Sequence, residues 1–478
     1  MTGRGRVWVG MIMLGWISAA WSPVTAGQLE DLLLENKQIT LDQWVQLKAE
    51  EEKRQAKELE ASRAAGDVPV RERWYEKISI RGFTQFRFDA HVKNYDVRSP
   101  QGDQAINGND SFSVRRARVI VSGQPHERVF VYTQAELVNV PINADGSPGS
   151  QNVQLRDAYA DLFLTENKEW RIRAGQSKVP YGFQNLQSSQ NRLALDRDDA
   201  TNSAVPNERD IGVFLYYTPT KTRELFRRLV ESGLKGSGDY GMLGIGVYNG
   251  QGENTYDANK GKHVIFHSMV PFEFSNGQVV QVGMDAFTGQ YNVSFLTPVV
   301  PANGLSTPPG TARLPLVTNG GNYLDERVAW HFVVYPQPFG LQGEYTIGRG
   351  PQLNTLRSEI VEGSLRGGYL QMFYNYQCDT YCQSIFPFVR YQEYFGGTRF
   401  VANTPRYSVR ELELGLEYQF NRALELTVEY TWTQRNTANP SFEPASCTNQ
   451  FNVNVACAQT PYQLQSGNLL RFQLQWNF

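Results

Sequence analysis

Across residues 467–478 apolar and polar side chains alternate almost without a break. Leu470, Phe472, Leu474, Trp476 and Phe478 fall on one parity, while Leu469, Arg471, Gln473, Gln475 and Asn477 fall on the other. A β-strand turns successive side chains to opposite faces, so the segment predicts a strand with one apolar and one largely polar face. The pattern recurs upstream. Leu412, Leu414, Leu416, Tyr418 and Phe420 alternate with Glu411, Glu413, Gly415, Glu417 and Gln419. Leu424, Leu426, Val428, Tyr430 and Trp432 alternate with Glu425, Thr427, Glu429, Thr431 and Thr433. Such strands suit a wall with lipid on one side and water on the other, and the strand ending on Phe478 suits the closing strand of a barrel. A basic side chain on the lipid face at mid-bilayer costs about 2–4 kcal/mol and an acidic one less, so the charged parity is expected to line water.

About sixteen such strands can be counted from Ile78 onward, a number within the range of bacterial barrels. Tight turns are expected at Gly123–His126, Thr165–Lys168, Ser275–Gly277, Pro336–Pro338 and Asn421-Arg422. Long connections are expected at 95–109, 139–150, 177–207, 291–323 and 436–466. Short and long connections alternate, as periplasmic turns and extracellular loops do; Pro219–Gly238 is a longer connection falling on the periplasmic side. The expected class is all-β, a transmembrane antiparallel β-barrel over 78–478 preceded by a short N-terminal helical segment. A soluble β-sandwich is the competing reading.

The beginning of the chain reads differently. Arg4 and Arg6, an apolar stretch over 7–17 and the modest residues Val24-Thr25-Ala26 have the order of a secretory signal peptide, expected over 1–26. The apolar core falls short of the roughly 20 residues of a spanning helix. Residues 27–66 are rich in Leu, Glu, Lys and Gln and predict a periplasmic helical hairpin or coiled-coil segment, with 67–77 as linker. Sustained apolar heptads, which a coiled-coil stalk needs, are missing.

Composition narrows the class further. A formal net charge of −2 excludes a basic nucleic-acid binder by bulk charge. A hydrophobic content of 41% is too low for a helical membrane protein but suits strands apolar on one face. The four cysteines fit an oxidising compartment. Topology places Cys378 and Cys382 in a periplasmic turn and Cys447 and Cys457 in the last extracellular loop. The expected disulfides are therefore Cys447–Cys457 and Cys378–Cys382, because a barrel about 25 Å tall separates the pairs.

The first third of the barrel carries Arg115-Arg116-Ala117-Arg118, then Leu155-Arg156-Asp157-Ala158-Tyr159. Gly175-Gln176-Ser177-Lys178-Val179-Pro180 and Arg209-Asp210-Ile211-Gly212 follow. In this order and spacing the motifs resemble the phosphate-selective porin O and P family. The resemblance implies a trimeric, sixteen-stranded outer-membrane channel whose narrow lumen leads anions past basic residues.

Parity offers partial support. Arg81 and Arg87 share a face opposite Ile78, Ile80, Phe86 and Phe88; Arg171 and Arg173 oppose Trp170, Ile172 and Ala174; Arg116 and Arg118 share a face. These six are the expected ion path, and Lys178, Arg192 and Arg197 are available on an inward-folded 177–207 loop to line a constriction. A guanidinium keeps its charge and can bind phosphate-like oxyanions through two N–H groups, and repeated weak sites let the ion leave. Balanced charge in a general pore and purely structural pairing remain the alternatives, since Asp89, Asp196, Asp198, Asp199 and Asp210 are near in sequence and five glutamates line the opposite wall. Arg156 beside Asp157 leaves a charge outward under either facing, for which burial at a subunit interface is one account. His263 and His267 lie about 13 Å apart along one strand face, too far for easy joint metal ligation. An outer-membrane phospholipase and an envelope-anchoring barrel are the rival classes. The expectation is a homotrimeric outer-membrane diffusion channel with bound lipid, passing phosphate or other small anions, without cofactor or metal.

Overall fold

The computed structural model describes residues 50, 54, 77–93, 110–137, 153–299, 314–378, 380–399, 401–438, 446–448, 454–456 and 462–478. The chain divides into two compact units, Met1–Arg73 and Trp74–Phe478. The expected signal peptide, helical segment and linker lie outside the described residues apart from 50, 54 and 77.

The second unit is a closed antiparallel barrel of 16 strands. Its strands are β1 (Ile78–Lys93), β2 (Ser111–His126), β3 (Val129–Glu136), β4 (Gln154–Phe163), β5 (Trp170–Lys178), β6 (Arg209–Tyr217), β7 (Leu243–Tyr248) and β8 (His263–Glu273). They continue as β9 (Val279–Asn292), β10 (Asn322–Val334), β11 (Phe339–Leu353), β12 (Ile360–Tyr374), β13 (Ser384–Gly397), β14 (Arg406–Asn421), β15 (Leu424–Ala438) and β16 (Tyr462–Asn477). β16 pairs with both β15 and β1, with Phe83 opposite Asn477. The terminal Phe478 exchanges backbone hydrogen bonds of 2.8 and 2.9 Å with Gly82. Closure leaves no open sheet edge in lipid, where an unpaired backbone group would cost several kcal/mol.

Alternation sets the two faces. On β1, Ile80 is 69% exposed on the outer face and Arg87 is 0% exposed on the inner one. Leu412, Leu414 and Leu416 of β14 face outward, and Glu411, Glu413 and Glu417 are buried on the lumen side. β2 runs through the expected Gly123–His126 turn, and the chain reverses at Glu127-Arg128 instead, with an irregular register after Gly123. β16 likewise begins at Tyr462, inside the loop expected to last until Ser466.

Two of the register shifts between strands fall at adjacent charged residues. Gln85 pairs with Arg116 but Phe86 pairs with Val114, so Arg115 is the extra residue of β2. Gln134 pairs with Asp157 but Ala135 pairs with Leu155, so Arg156 is the extra residue of β4. A bulge sets two residues against one and lets both side chains leave on one side. Asp157 and Asp161 therefore face the lumen, Arg156 joins them, and Ala158 and Ala160 face out. The charges of β4 therefore need no subunit interface to cover them.

Residues 179–208, between β5 and β6, fold into the barrel rather than away from it. They carry α1 (Phe183–Leu186) and α2 (Asp199–Ala204). Val179, Tyr181, Ala204 and Val205 pack against Phe214, Tyr216, Tyr248, Ile265 and Phe287 of the inner wall. Leu193 and Ala194 pack against Phe373, Phe386 and Phe388. An apolar loop meeting aromatic wall residues removes both from lumen water, which drives the inward fold. The connection from β6 to β7 bears α3 (Thr220–Glu231) and also turns inward, at the short-turn end of the barrel.

Candidate functional site

The inserted loop is pinned to most of the wall by polar contacts. Gly182 N–H donates to Asp285 (2.7 Å) and Gln184 N–H to Glu344 (2.5 Å). Leu195 N–H donates to Glu429 (3.0 Å), and Asp199 N–H to Gln392 (2.9 Å). Gly182 has φ 73°, and a Cβ there would lie 2.5 Å from Glu344 Oε2, so the Val-Pro-Tyr-Gly segment needs its glycine. Asp285 also meets His267 Nδ1 (2.6 Å) and His331 Nε2 (3.2 Å). His267 thus serves in anchoring the loop, and His263 lies 3.5 Å from Asp325.

At the end of the loop four cations surround one carboxylate. Glu208 Oε1 lies 3.2 Å from Arg192 and 3.7 Å from Arg197; Oε2 lies 2.7 Å from Arg209 and 3.6 Å from Lys178. Burial alone would raise the Glu208 carboxyl, but Lys178, Arg209, Arg192 and Arg197 outweigh it and hold it well below its ordinary value. Lys178 also donates to the carbonyls of Asn185 (2.8 Å), Leu186 (3.2 Å) and Gln187 (2.8 Å), closing the end of α1. Arg197 donates to Asn185 Oδ1 (2.6 Å) and to Val205 O (3.1 Å). Arg209 shares Asp157 at 2.9 Å. Even with Asp157 included, cations exceed carboxylates in this cluster.

The six wall arginines divide by what they touch. Arg171 is clamped by Asp239 (2.9 and 3.0 Å), and Arg173 by Asp161 (2.7 and 2.8 Å) beneath the Tyr159 ring. Both occupy the inner face, and both are neutralised by a two-toothed carboxylate pair. Arg118 pairs with Glu136 at 2.6 Å, and Arg87 reaches Asp196 at 3.2 Å. Arg81 keeps the inward parity of Arg87 but is exposed near the short-turn end of β1. Arg116 differs from all of these. Its Nη1 donates to Gln85 (2.7 Å), its Nε has no hydrogen-bond partner, and among the described residues no carboxylate pairs with it. Arg115, Arg192, Arg118 and Arg87 are among the charges around it. Arg192, with a side chain 2% exposed, likewise leaves Nε and Nη2 unpartnered.

The opposite wall is acidic in sequence yet largely compensated in space. Glu411 pairs with Arg435 (2.6 Å), Glu413 with Arg390 (2.5 Å), Glu429 with Arg471 (3.4 Å), and Glu417 with Lys235. Arg390, Arg435, Arg471 and Lys235 were not among the expected path residues. The strand parity of Arg471 was legible, but its partners Asp89 and Asp196 are far away in sequence. Arg115 and Arg156 were missed because a bulge breaks parity. Lumen side chains that keep partial exposure include Ser113, Arg115, Tyr132 and Tyr159 on β2–β4, and Ser188, Gln190 and Asn191 on the loop facing them. In the short-turn segment after β12, Cys378 and Cys382 form a disulfide with Cα atoms 5.4 Å apart. Cys447 sits on a short hairpin strand (Ser446–Thr448), while Cys457, and hence the second expected bond, lies outside the described residues.

A family model described as phosphate-selective porin O and P matches residues 84–464. A search of curated proteins finds no match. Among solved structures the chain is similar to OmpF of Salmonella typhi in complex with daunomycin, at 14% identity and a TM-score of 0.45, over 84% of this chain and 97% of that one. It is similar to the outer-membrane channel DcaP of Acinetobacter baumannii, at 12% identity and TM-score 0.46, over 84% and 97%. It is also similar to an anion-selective porin from Comamonas acidovorans, at 9% identity and TM-score 0.44, over 84% and 99%.

Proposed function

The chain belongs to the phosphate-selective porin O and P family, and from that premise we propose that this outer-membrane channel favours small anions, phosphate-like oxyanions among them. The path runs between the inserted loop and the β1–β4 wall. One observation carries the reading: among the described residues, Arg116 and Arg192 hold buried N–H groups without hydrogen-bond partners, and no carboxylate pairs with Arg116. The glutamates that would offset this charge, Glu411, Glu413, Glu417 and Glu429, each hold a cation of their own.

An anion entering a narrow pore loses part of its hydration, and fixed donors replace that shell. Guanidinium groups do this for tetrahedral oxyanions through paired N–H donors, and their charge persists at any physiological pH. Lys178, Arg192 and Arg197 supply the positive surplus around Glu208 that fixes the end of the loop. Arg81 offers a solvated cation at the periplasmic mouth. Arg171 and Arg173 hold the wall in shape. The chain is expected to assemble as a homotrimer, with the small outward residues Ala158 and Ala160 at the contact.

The test is the zero-current potential of the purified protein in a planar bilayer under a chloride gradient, repeated with phosphate. The reading expects chloride and phosphate to permeate ahead of potassium. Cation preference in the wild type would overturn it and leave a general pore, the reading favoured by the close ion pairing of the other wall arginines.

A further inference from the structure

The connection between β6 and β7 is the part of the lumen that the selectivity path above does not use. α3 begins tied to the neighbouring turn: Arg223 donates to the carbonyls of Lys168 (2.6 Å) and Asn167 (2.7 Å), and Thr220 N–H donates to Glu169 (2.9 Å). Its apolar side is tucked into the barrel. Phe226 and Leu229, each 1% exposed, pack with Met269, Val279, Val333 and Tyr335 of the wall and with Phe183 of the inserted loop. Lys221, Glu224, Arg227 and Glu231 stay exposed on the other side.

Beyond the helix the chain crosses to the far wall. Lys235 pairs with Glu417 on β14, and its ammonium lies 5.0 Å from the Phe386 ring on β13. Its carbonyl accepts from Gln187 of the inserted loop at 2.7 Å. The segment then returns to β5, where Asp239 clamps Arg171. One short segment thus touches β5, β8, β13, β14 and the constriction loop, at the end where the other connections are mostly tight turns. An ordinary turn at a strand end contacts its two strands and water.

We propose that residues 219–242 form a second, periplasmic constriction, in which Lys235 sets the charge of the exit. Glu417 and Glu425 face the lumen there; Lys235 pairs with Glu417, and Glu425 lies across from Gln419, two residues along the same face. Without that ammonium an anion leaving the inserted loop meets two carboxylates in a narrow passage. With it, one carboxylate is paired and the second is screened by an adjacent cation. Phe226 and Leu229 keep the segment seated, and through Phe183 they join its position to that of the loop. The sign of the selectivity effect rests on the anion-favouring reading; the existence of the second constriction does not.

Two variants test this in the full-length channel. Lys235→Gln should move the zero-current potential towards cations, adding Glu417→Gln should return it towards the wild type, and Lys235→Arg should behave as the wild type. Phe226→Ala should raise single-channel conductance and open-channel noise, because the helix loses its seat. A Lys235→Gln channel that inserts normally and keeps the wild-type potential overturns the role of Lys235. An unchanged conductance in Phe226→Ala overturns the constriction. Failure of the anion reading would show separately, as cation preference in the unmodified protein.

Discussion

Replacing Arg116 with Gln removes a cation with which no carboxylate pairs among the described residues. The structural cost is small, since among the described residues the side chain makes one hydrogen bond, to Gln85, and no ion pair. Losing such a bond costs about 0.5–1.5 kcal/mol, and Gln can replace part of it. The electrostatic effect is larger than that suggests. An anion passing about 7 Å from the guanidinium, in a hydrated lumen with an effective dielectric of about 40, interacts with it by about 1.2 kcal/mol. Screening at 0.1 M salt, with a Debye length of about 10 Å, reduces this to about 0.6 kcal/mol. The anion-to-cation permeability ratio should therefore fall about threefold to sevenfold in Arg116→Gln, and by about the square of that factor in Arg116→Glu. Reversal potentials in planar bilayers under a potassium chloride gradient measure it. The shift should shrink at 1 M salt, where the Debye length is about 3 Å. Normal insertion and conductance with an unchanged ratio at low salt, in both variants, would refute the assignment of Arg116 to the path.

Arg173→Gln should act on stability instead. It leaves the buried Asp161 carboxylate with only Arg171 Nε, 3.6 Å away. The cost should therefore stay below the about 3–5 kcal/mol of a fully unpaired buried charge, read as a lower temperature for the folded-to-unfolded gel shift, while surviving channels keep the wild-type permeability ratio. Gly182→Ala should loosen the inserted loop, because it forces a side chain into φ 73° and against Glu344; more frequent conductance steps at unchanged barrel yield would report it. The Glu208 cluster gives a pH window. Its folded pKa is depressed, so its contribution is fully present above the ordinary value near 4.5 and is lost as pH falls through the folded value. Current noise should be flat from neutral pH down to about 4.5 and rise only below it; a rise beginning near pH 6 would contradict the assignment.

The barrel was legible because its two signals are local. Alternation along β14, β15 and β16 reports a wall with two solvents, and turn length reports which end is which. The boundaries that were misplaced have physical causes too. At Gly123–His126 the turn residues lie inside an irregular strand pair, and the chain reverses at Glu127-Arg128, which carries no turn signal of the glycine or proline kind. Pro219–Gly238 stood out in sequence only as a connection too long for its side. That it folds inward depends on Phe226 and Leu229 finding Phe183, Met269 and Tyr335, contacts between distant segments that no local pattern contains.

The site was legible only to the level of parity, and parity does not tell a free charge from a spent one. Arg116 and Arg173 both occupy lumen positions and look alike along the chain. Arg173 has Asp161 opposite it in strand register, whereas Arg116 has Gln85 opposite it and other arginines around it. That difference is set by pairing between strands, so it emerges only with the register. The bulges sharpen the point. Two adjacent charges in a lipid-facing strand look like an error under strict alternation, as Arg115-Arg116 and Arg156-Asp157 do. A single inserted residue turns both inward and so adds a cation to the lumen without placing one in lipid. Each of these two family motifs that break the period therefore marks a place where this barrel gains interior charge. Arg116 follows one bulge and has no carboxylate partner among the described residues, while Arg156 at the other is held by Glu253. If the path follows uncompensated charge, it keeps to the β2 side of the lumen, and substitutions at Arg156 should leave selectivity nearly unchanged where those at Arg116 alter it.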